Sequence, residues 1–513
     1  MKNNINFLPS LVVWLTIIVS ILTLGAFIYA IFRVGISLHH DEWVGRGLYP
    51  GLAMGNGFDL YQPSTGPHVT LYGFGTAFFY SLSAICHTPN QAIWFGYATN
   101  IISFCIPVAF LLNHLLKSYI ISIKTRTSSI LGTLIFLISI FSIEPTTEGI
   151  LRIHADMPAL FFLLLSICLF HLYQTKDRNI FLILTAIAIS FSIWAKITTI
   201  HAIFYPFIFL LLQRKVVSAL IYIPIIGISL ISSFSLFSLF YGWDDTVLIL
   251  FKHITSGCWS MRNDLFDGTN AKLANMSYIQ AIPLLFRFFV MYLAEYWYIA
   301  SSCLISLALL INKKNHDSME NVILLTILYF LLFPAGLVAL AHFGSVENSL
   351  LFVNSCGIII MIFGLVVLLS QKMEPKLFLL VIWSLALIFT LPFLRLSRGG
   401  KESTINAPHN QAFQYLEKGN NDVYFGWYPI AHLLNSGDNY SCIETPIWAG
   451  MTNPKEIDFS IDHFPENAKY LATGPTGYGM IILENYLGKL NEIKAPCELS
   501  SWRLFELMEL KKE

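Results

Sequence analysis

The amino-acid sequence predicts a polytopic α-helical membrane protein of about 11 transmembrane helices, with a small α/β soluble domain at its C-terminal end. Three observations support this fold class. Of the 513 residues, 55% are hydrophobic and only 12% are charged, and the mean hydropathy is +0.64. Apolar runs of about 17 to 25 residues recur, which is the length that crosses a hydrocarbon core. The connections between these runs alternate in charge, as loops on the two sides of a membrane do.

About eleven spans follow from the apolar runs when the N-terminus is placed in the cytoplasm. We predict them near 11–33, 92–116, 127–143, 156–173, 179–195, 197–213, 216–241, 281–311, 321–341, 349–370 and 376–394. Every second connection is then basic, with lysine or arginine at 117, 124, 126, 176, 178, 214, 215, 313, 314, 372 and 376. Because positive charge concentrates in cytoplasmic loops, this pattern predicts the orientation and places the C-terminus outside.

The beginning of the chain needs two further assignments. The first apolar run lacks a small-residue cleavage site, so we interpret it as a retained span and not as a signal peptide. The stretch from Val69 to Cys86 is also apolar, but counting it as a span would reverse every later loop. Its glycines and aromatic residues suit a helix that lies in the outer interface.

The sequence divides into two predicted domains. Residues 1–394 form the transmembrane domain, with long outer loops at 34–91 and 242–280. The second loop shows no fold of its own, which is typical of a loop that covers an active site. Residues 395–513 are richer in polar side chains, and no apolar run there reaches spanning length. They suffice for one small, extracytoplasmic α/β domain, with a helix near 410–418 and a strand near 422–427.

Several binding classes receive no support from the composition. The net charge is zero, so no nucleic-acid partner is indicated. The eight cysteines form no Cys-x-x-Cys pair and no spacing with histidine that is typical of a metal site. Cys442 and Cys497 both lie in the C-terminal domain, where a disulfide and two free thiols are equally compatible with the sequence.

The first outer loop carries the strongest candidate for chemistry. Asp41 and Glu42 follow the first span directly, and carboxylates are costly to place near lipid. A general base needs such a carboxylate within hydrogen-bond reach of the proton that it removes. An ordinary solvated pair of acids is the alternative interpretation. The same loop offers four residues that would line a substrate: Arg46, Tyr61, His68 and Tyr72.

Charged residues gather again before the fourth span. Glu148, Arg152 and Asp156 are spaced four apart, which on a helix would stack them on one face as mutual salt bridges. In the functional interpretation, Arg152 or His154 instead contacts a phosphate, and Asp156 is a second catalytic carboxylate. Arginine suits this role because its planar group grips phosphate oxygens in pairs.

Lys196 closes the outer end of the predicted fifth span. A lone lysine in this position can extend its amine to the membrane interface while its aliphatic stem stays among apolar groups. Alternatively, it neutralises the phosphate of a lipid. The sequence leaves both interpretations open.

These segments together resemble the GT-C membrane glycosyltransferases, which include protein O-mannosyltransferases and lipid A aminoarabinose transferases. The motifs that carry the resemblance are Asp41-Glu42 after the first span, the Gly66-Pro67 turn leading to Tyr72-Gly73, Arg152 with Asp156-Met157-Pro158, and Ala195-Lys196. They cover about residues 1 to 215, and the rest of the chain matches in layout only.

The resemblance implies transfer of a sugar, with inversion, from a polyprenyl-phosphate donor to an extracytoplasmic glycan, lipid or protein. Asp41 would be the base, and Arg152 and Lys196 would hold the donor phosphate. No cofactor is implied, and Asp-Glu in place of Asp-x-Asp gives no indication of a metal. The expected location is the bacterial inner membrane, surrounded by lipid. A transporter or flippase and an oligosaccharide polymerase are the competing interpretations.

Overall fold

The computed structural model of the protein describes residues 7–39, 42–58, 60, 73–119, 149–247, 258–261, 272–275, 282–311, 316–341, 350–370, 377, 380–381, 383–384, 387, 407–440, 442, 465–473, 490–500 and 502–507. The predicted span near 127–143 lies outside these residues, as does most of the span near 376–394. Asp41, Tyr61, His68 and Tyr72 also lie outside them, and the side chains of Glu42 and Cys497 are not described.

The transmembrane part is built from helices. In chain order they are α1 (Phe7–Leu38), α2 (Glu42–Gly55), α3 (Phe74–Tyr80), α4 (Pro89–Tyr119), α5 (Asp156–Lys176), α6 (Asn179–Ala195), α7 (Phe204–Leu212), α8 (Val216–Tyr241), α9 (Trp243–Val247), α10 (Ile282–Ile311), α11 (His316–Ala341) and α12 (Leu351–Ser370). Among the described residues, 5 helices are long and apolar enough to cross a membrane. The chain is therefore an integral membrane protein, as predicted, while the number of spans stays a prediction.

Two details differ from the expectation. The predicted span near 197–213 is a 3-10 turn over Ile197–Ile203 followed by the short helix α7. The interruption follows Lys196, whose extended backbone (φ −149°, ψ 112°) ends α6. The outer loop at 242–280 is not devoid of structure, because β1 (Cys258–Met261) pairs antiparallel with β2 (Lys272–Asn275).

Helices α5 and α6 form a tight antiparallel hairpin. Only Asp177 and Arg178 separate them, and Asp177 adopts a left-handed conformation (φ 49°) that reverses the chain. At this same end, the Lys215 Nζ donates to Gln174 Oε1 at 2.9 Å, so the next turn lies beside the hairpin turn. Basic connections therefore gather at one end of the helices. The chain returns at Lys196 to the opposite end, where Asp156 begins α5.

Helix α2 packs through a row of glycines. Gly47, Gly51 and Gly55 are four residues apart and so share one face of the helix. A Cβ atom at Gly47 would overlap the Ile153 carbonyl, and one at Gly51 would lie 2.5 Å from the Tyr80 Cβ. A Cβ at Gly55 would collide with the turn that follows α3. Small residues at this spacing let backbones approach closely, and α2 uses them to lie against α3 and the segment before α5.

The C-terminal region combines helices and strands. Helices α13 (Pro408–Glu417) and α14 (Ile430–Ser436) accompany a four-stranded sheet in the order β3-β4-β6-β5. Strand β3 (Val423–Tyr424) is parallel to β4 (Tyr470–Thr473), whereas β6 (Arg503–Glu506) runs antiparallel to both β4 and β5 (Glu492–Ile493). The helix expected near 410–418 is confirmed, and the strand expected near 422–427 is confirmed but shorter. These elements share a hydrophobic cluster that includes Phe425, Trp427, Trp502 and Phe505.

Candidate functional site

A buried carboxylate with two partners lies at the start of α5. The Asp156 Oδ2 accepts a hydrogen bond from His154 Nδ1 at 2.5 Å, and its Oδ1 forms an ion pair with Lys196 Nζ. The Asp156 side chain is only 2% exposed, against 10% for His154 and 15% for Lys196. A buried carboxylate is tolerated when it is paired in this way, so the three side chains act as one unit.

The helix hairpin explains why residues 40 positions apart meet. Helix α5 has 21 residues and α6 has 17, so each is about 25 to 30 Å long and the chain returns to the end from which it left. The Ser192 Oγ donates to the Ala159 carbonyl at 2.8 Å and ties the two helices together near the site. Lys196 follows directly after α6, and its extended backbone turns the chain away from the helix axis.

The segment before α5 is held by a buried amide. Asn100 on α4 donates from Nδ2 to the Leu151 and Arg152 carbonyls, each at 3.3 Å, and its Oδ1 accepts from the Tyr80 hydroxyl at 2.8 Å. These bonds satisfy backbone groups that no regular structure satisfies here, because the chain is not helical from Arg152 to Ala155. The alternative interpretation, in which these charged residues stack on one face of a continuous helix, is therefore wrong for Arg152 and Asp156, and Glu148 lies outside the described residues.

Among the described residues, two cationic side chains lie near the Asp156 carboxylate. Arg46 on α2 is near enough for its charge to act on His154. Burial lowers the pKa of His154 below its usual value, Lys196 and Arg46 lower it further, and Asp156 opposes them. With His154 neutral, the described side chains here supply two cations, Arg46 and Lys196, either of which could contact an anionic group of a ligand. In the described part of the chain, no group of three His, Cys, Asp or Glu side chains is arranged to hold a metal ion.

The predicted site residues fall into two groups. The structure brings Arg46, His154, Asp156 and Lys196 together, and it places Arg152 beside them in the chain with its carbonyl bonded to Asn100. The other group comprises Asp41, Glu42, Tyr61, His68 and Tyr72, whose side chains are not described. Glu42 is nevertheless the first residue of α2, five residues before Gly47, and so about 7.5 Å along the helix axis from the contact with Ile153.

Sequence reasoning missed two features of the site. The first is the row of glycines on α2, for which the repeated Gly-x-x-x-Gly spacing from Gly47 to Gly55 was a readable signal. The second is Asn100, an amide within an apolar span that looks unremarkable without its partners. A polar side chain inside a membrane helix costs free energy unless it is hydrogen-bonded. The position of Asn100 within an apolar span therefore indicated that its amide has a hydrogen-bonding partner.

Comparisons with known proteins bear on the fold. No protein-family model matches the chain, and no curated protein matches it by sequence. The structure is similar to the crystal structure of ArnT from Cupriavidus metallidurans bound to undecaprenyl phosphate. The match has a TM-score of 0.51 at 10% sequence identity and covers 94% of this chain and 97% of that chain. The likeness concerns the fold alone, and it agrees with the GT-C-like fold that the resemblance in the sequence implied.

Proposed function

We propose that the protein is a membrane glycosyltransferase that moves a sugar from a polyprenyl-phosphate donor to an extracytoplasmic glycan, lipid or protein. The observation that carries this proposal is the buried Lys196–Asp156 ion pair, with Arg46 near it, at the end of the α5–α6 hairpin. A cationic site at the mouth of membrane helices suits a phosphate whose lipid tail remains in the bilayer. The fold supports it, since ArnT was crystallised with undecaprenyl phosphate.

In the proposed reaction, the acceptor hydroxyl oxygen attacks the anomeric carbon from the face opposite the phosphate. The bond between that carbon and the phosphate oxygen breaks, and the electron pair leaves with the polyprenyl phosphate. Asp41 takes the proton of the hydroxyl, with Glu42 beside it, and the sugar carbon inverts. Lys196 and Arg152 stabilise the charge that develops on the departing phosphate.

Asp156 has a positioning role in this scheme. Each of its carboxylate oxygens already has a partner, one in His154 and one in Lys196. We infer that it holds the Lys196 amine in the direction of the donor and fixes the His154 ring. With Nδ1 donating to Asp156, the other ring nitrogen, Nε2, can donate a hydrogen bond only when the ring is protonated.

The orientation in the membrane is part of the proposal. The turns that contain Lys176, Arg178, Arg214 and Lys215 gather at one end of the helices, which we assign to the cytoplasm by the distribution of positive charge. The site, at the other end, then faces outside, together with the C-terminal region. We retain the division into a transmembrane domain, 1–394, and an α/β domain, 395–513.

The test is sugar transfer by the full-length protein in vesicles, with a panel of polyprenyl-phosphate sugars and extracted envelope acceptors. We expect Asp41→Asn and Lys196→Met to lower transfer by about 100-fold or more, the size typical for the loss of one such group. Lys215→Met is the matched control, since that lysine is exposed at the opposite end, and it should stay within about twofold. Undiminished transfer in both site variants refutes the assignment. Movement of lipid-linked sugar across the bilayer without a new glycosidic bond would support a flippase instead.

A further inference from the structure

Helix α2 lies between the proposed site and the C-terminal region. Its glycine face contacts the segment before α5, as described above. Gly45 and Tyr49, four residues apart, share a different face, and a Cβ at Gly45 would lie 3.2 Å from the Tyr428 ring and 3.3 Å from Ile430. Helix α2, which begins directly after Asp41, therefore has packing contacts on two faces.

Tyr49 makes the polar part of the second contact. Its hydroxyl, which has one proton to donate, lies 2.5 Å from the Asn439 Oδ1 and 2.6 Å from the Tyr440 carbonyl oxygen, and these two acceptors share that proton. It also accepts the Tyr440 N–H at 3.1 Å. The Tyr49 side chain is fully buried, and its partners Asn439 and Tyr440 are partly buried. Removing the Tyr49 hydroxyl while the two segments stay packed would deprive the Tyr440 N–H of this acceptor.

Helix α14 adds an apolar anchor. Ile430 and Leu433 on this helix belong to the large hydrophobic core of the membrane part, as does Cys442 after it. Ala431, between them, belongs instead to the cluster of the C-terminal region. One short helix thus joins the two cores, and it packs directly against α2.

We propose that the C-terminal region holds α2 over the site through Tyr49, and that this docking is required for sugar transfer. Tyr49 is a positioning residue: it touches no substrate and acts on Glu42, the first residue of α2, and on Asp41, which precedes Glu42 in the sequence. The proposal rests on the proposed function for its link to transfer, whereas the docking itself is a property of the protein alone. The donor-phosphate side is built on α5 and α6, which are joined by their own hydrogen bond from Ser192.

This division predicts which kinetic constant changes. Loss of the Tyr49 hydroxyl should displace the acceptor-activating carboxylates while the Lys196–Asp156 pair stays in place. We therefore expect Tyr49→Phe to lower kcat by about fivefold or more and to change the donor KM by less than about twofold, since an interaction that acts in the transition state appears in kcat.

Hydrogen exchange of the full-length protein reports the docking directly. The Tyr440 amide bonds to the Tyr49 hydroxyl, so Tyr49→Phe should speed exchange in peptides covering 430–442 and 42–55 by about 10-fold or more. The matched control is Tyr205→Phe. Tyr205 is equally buried and loses one comparable bond, to Ser166 Oγ at 2.9 Å, inside the membrane part. In the Tyr205→Phe variant, hydrogen exchange in the peptides covering 430–442 and 42–55 and the kcat should both match the wild type.

Three results would overturn the proposal: unchanged exchange in Tyr49→Phe, faster exchange with an unchanged kcat, or the same changes in Tyr205→Phe. The last result would reveal general destabilisation. If the wild-type protein transfers no sugar at all, the proposed function fails. In that case, faster hydrogen exchange in the Tyr49→Phe variant alone still supports the docking of the C-terminal region against α2.

Discussion

The ion pair between Lys196 and Asp156 makes the most quantitative prediction. Lys196→Met removes the cation at Oδ1 and leaves the carboxylate with its hydrogen bond from His154. The Asp156 side chain is 2% exposed, so water cannot replace the lost partner. Breaking a buried pair costs about 3 to 5 kcal/mol, and the remaining bond from His154 places this case near 3 kcal/mol.

A double-mutant cycle separates the pair from unrelated effects. Asp156→Asn and Lys196→Met should each lower the free energy of unfolding, measured by denaturation in mixed micelles. The double variant should cost no more than the worse single variant, so the coupling equals the cost of the milder single variant and is at most about 3 kcal/mol. Lys215→Met should change stability by less than about 0.5 kcal/mol, because its side chain is exposed. If the losses of unfolding free energy in the two single variants add up in the double variant, the two side chains do not stabilise each other and the prediction is wrong.

The cost of Lys196→Met should also depend on pH. In the wild type, Lys196 helps to lower the pKa of His154, so its removal raises that pKa. A protonated His154 then supplies the missing positive charge beside Asp156. A histidine whose pKa is lowered by folding costs stability as pH falls below its unfolded value of about 6.5, and it costs less in the variant, where the pKa is less lowered, so the deficit should shrink below about pH 6.5. An equal deficit at pH 5.5 and pH 8 would contradict this reasoning.

Three further predictions concern groups outside this pair. Burial lowers the pKa of His432 to about 4, and its Nε2 accepts a hydrogen bond from the Phe425 N–H. In thermal unfolding, the wild type should therefore lose about 3 kcal/mol of stability as pH falls from about 6.5 to 4, whereas the His432→Gln variant should lose little over the same range. Gly47→Ala should destabilise by about 3 kcal/mol in micelle denaturation, because its methyl group overlaps a backbone carbonyl, whereas Gly227→Ala, in open space on α8, should be neutral or stabilising. Asn100→Leu should cost about 2 kcal/mol or more and abolish transfer, and normal transfer would show that its hold on the chain before α5 is dispensable.

Much of the helical layout was predictable from the sequence. The spans expected at 179–195 and 216–241 coincide with α6 and α8, because charged turns on both sides end the apolar runs sharply. The same reasoning placed Lys196 at the end of α6 and Asp156 at the start of α5. Since a short turn joins these helices, the meeting of the two residues at one end of the hairpin follows from helix length alone.

The detailed surroundings of the site were not predictable in this way. Spacing suggested that Asp156 would stack with Arg152 on a helix, but the backbone from Arg152 to Ala155 is irregular. That segment is shaped by Asn100, about 50 positions earlier, through bonds to backbone carbonyls that any sequence would offer. The spacing of residues around Arg152 cannot reveal this contact, because that spacing does not depend on which side chain stands at position 100.

The sequence by itself determined the membrane character of this protein, the course of its helices and the residues that form the charged cluster, since hydrophobic length and charge act locally along the chain. Only the tertiary structure decided what surrounds that cluster. Tyr49 and Tyr440 are 391 positions apart, and their contact depends on how the two hydrophobic cores pack against α2. The physical reason is that a buried hydrogen bond is satisfied by whichever group the fold brings near, and distance along the chain places no constraint on that group.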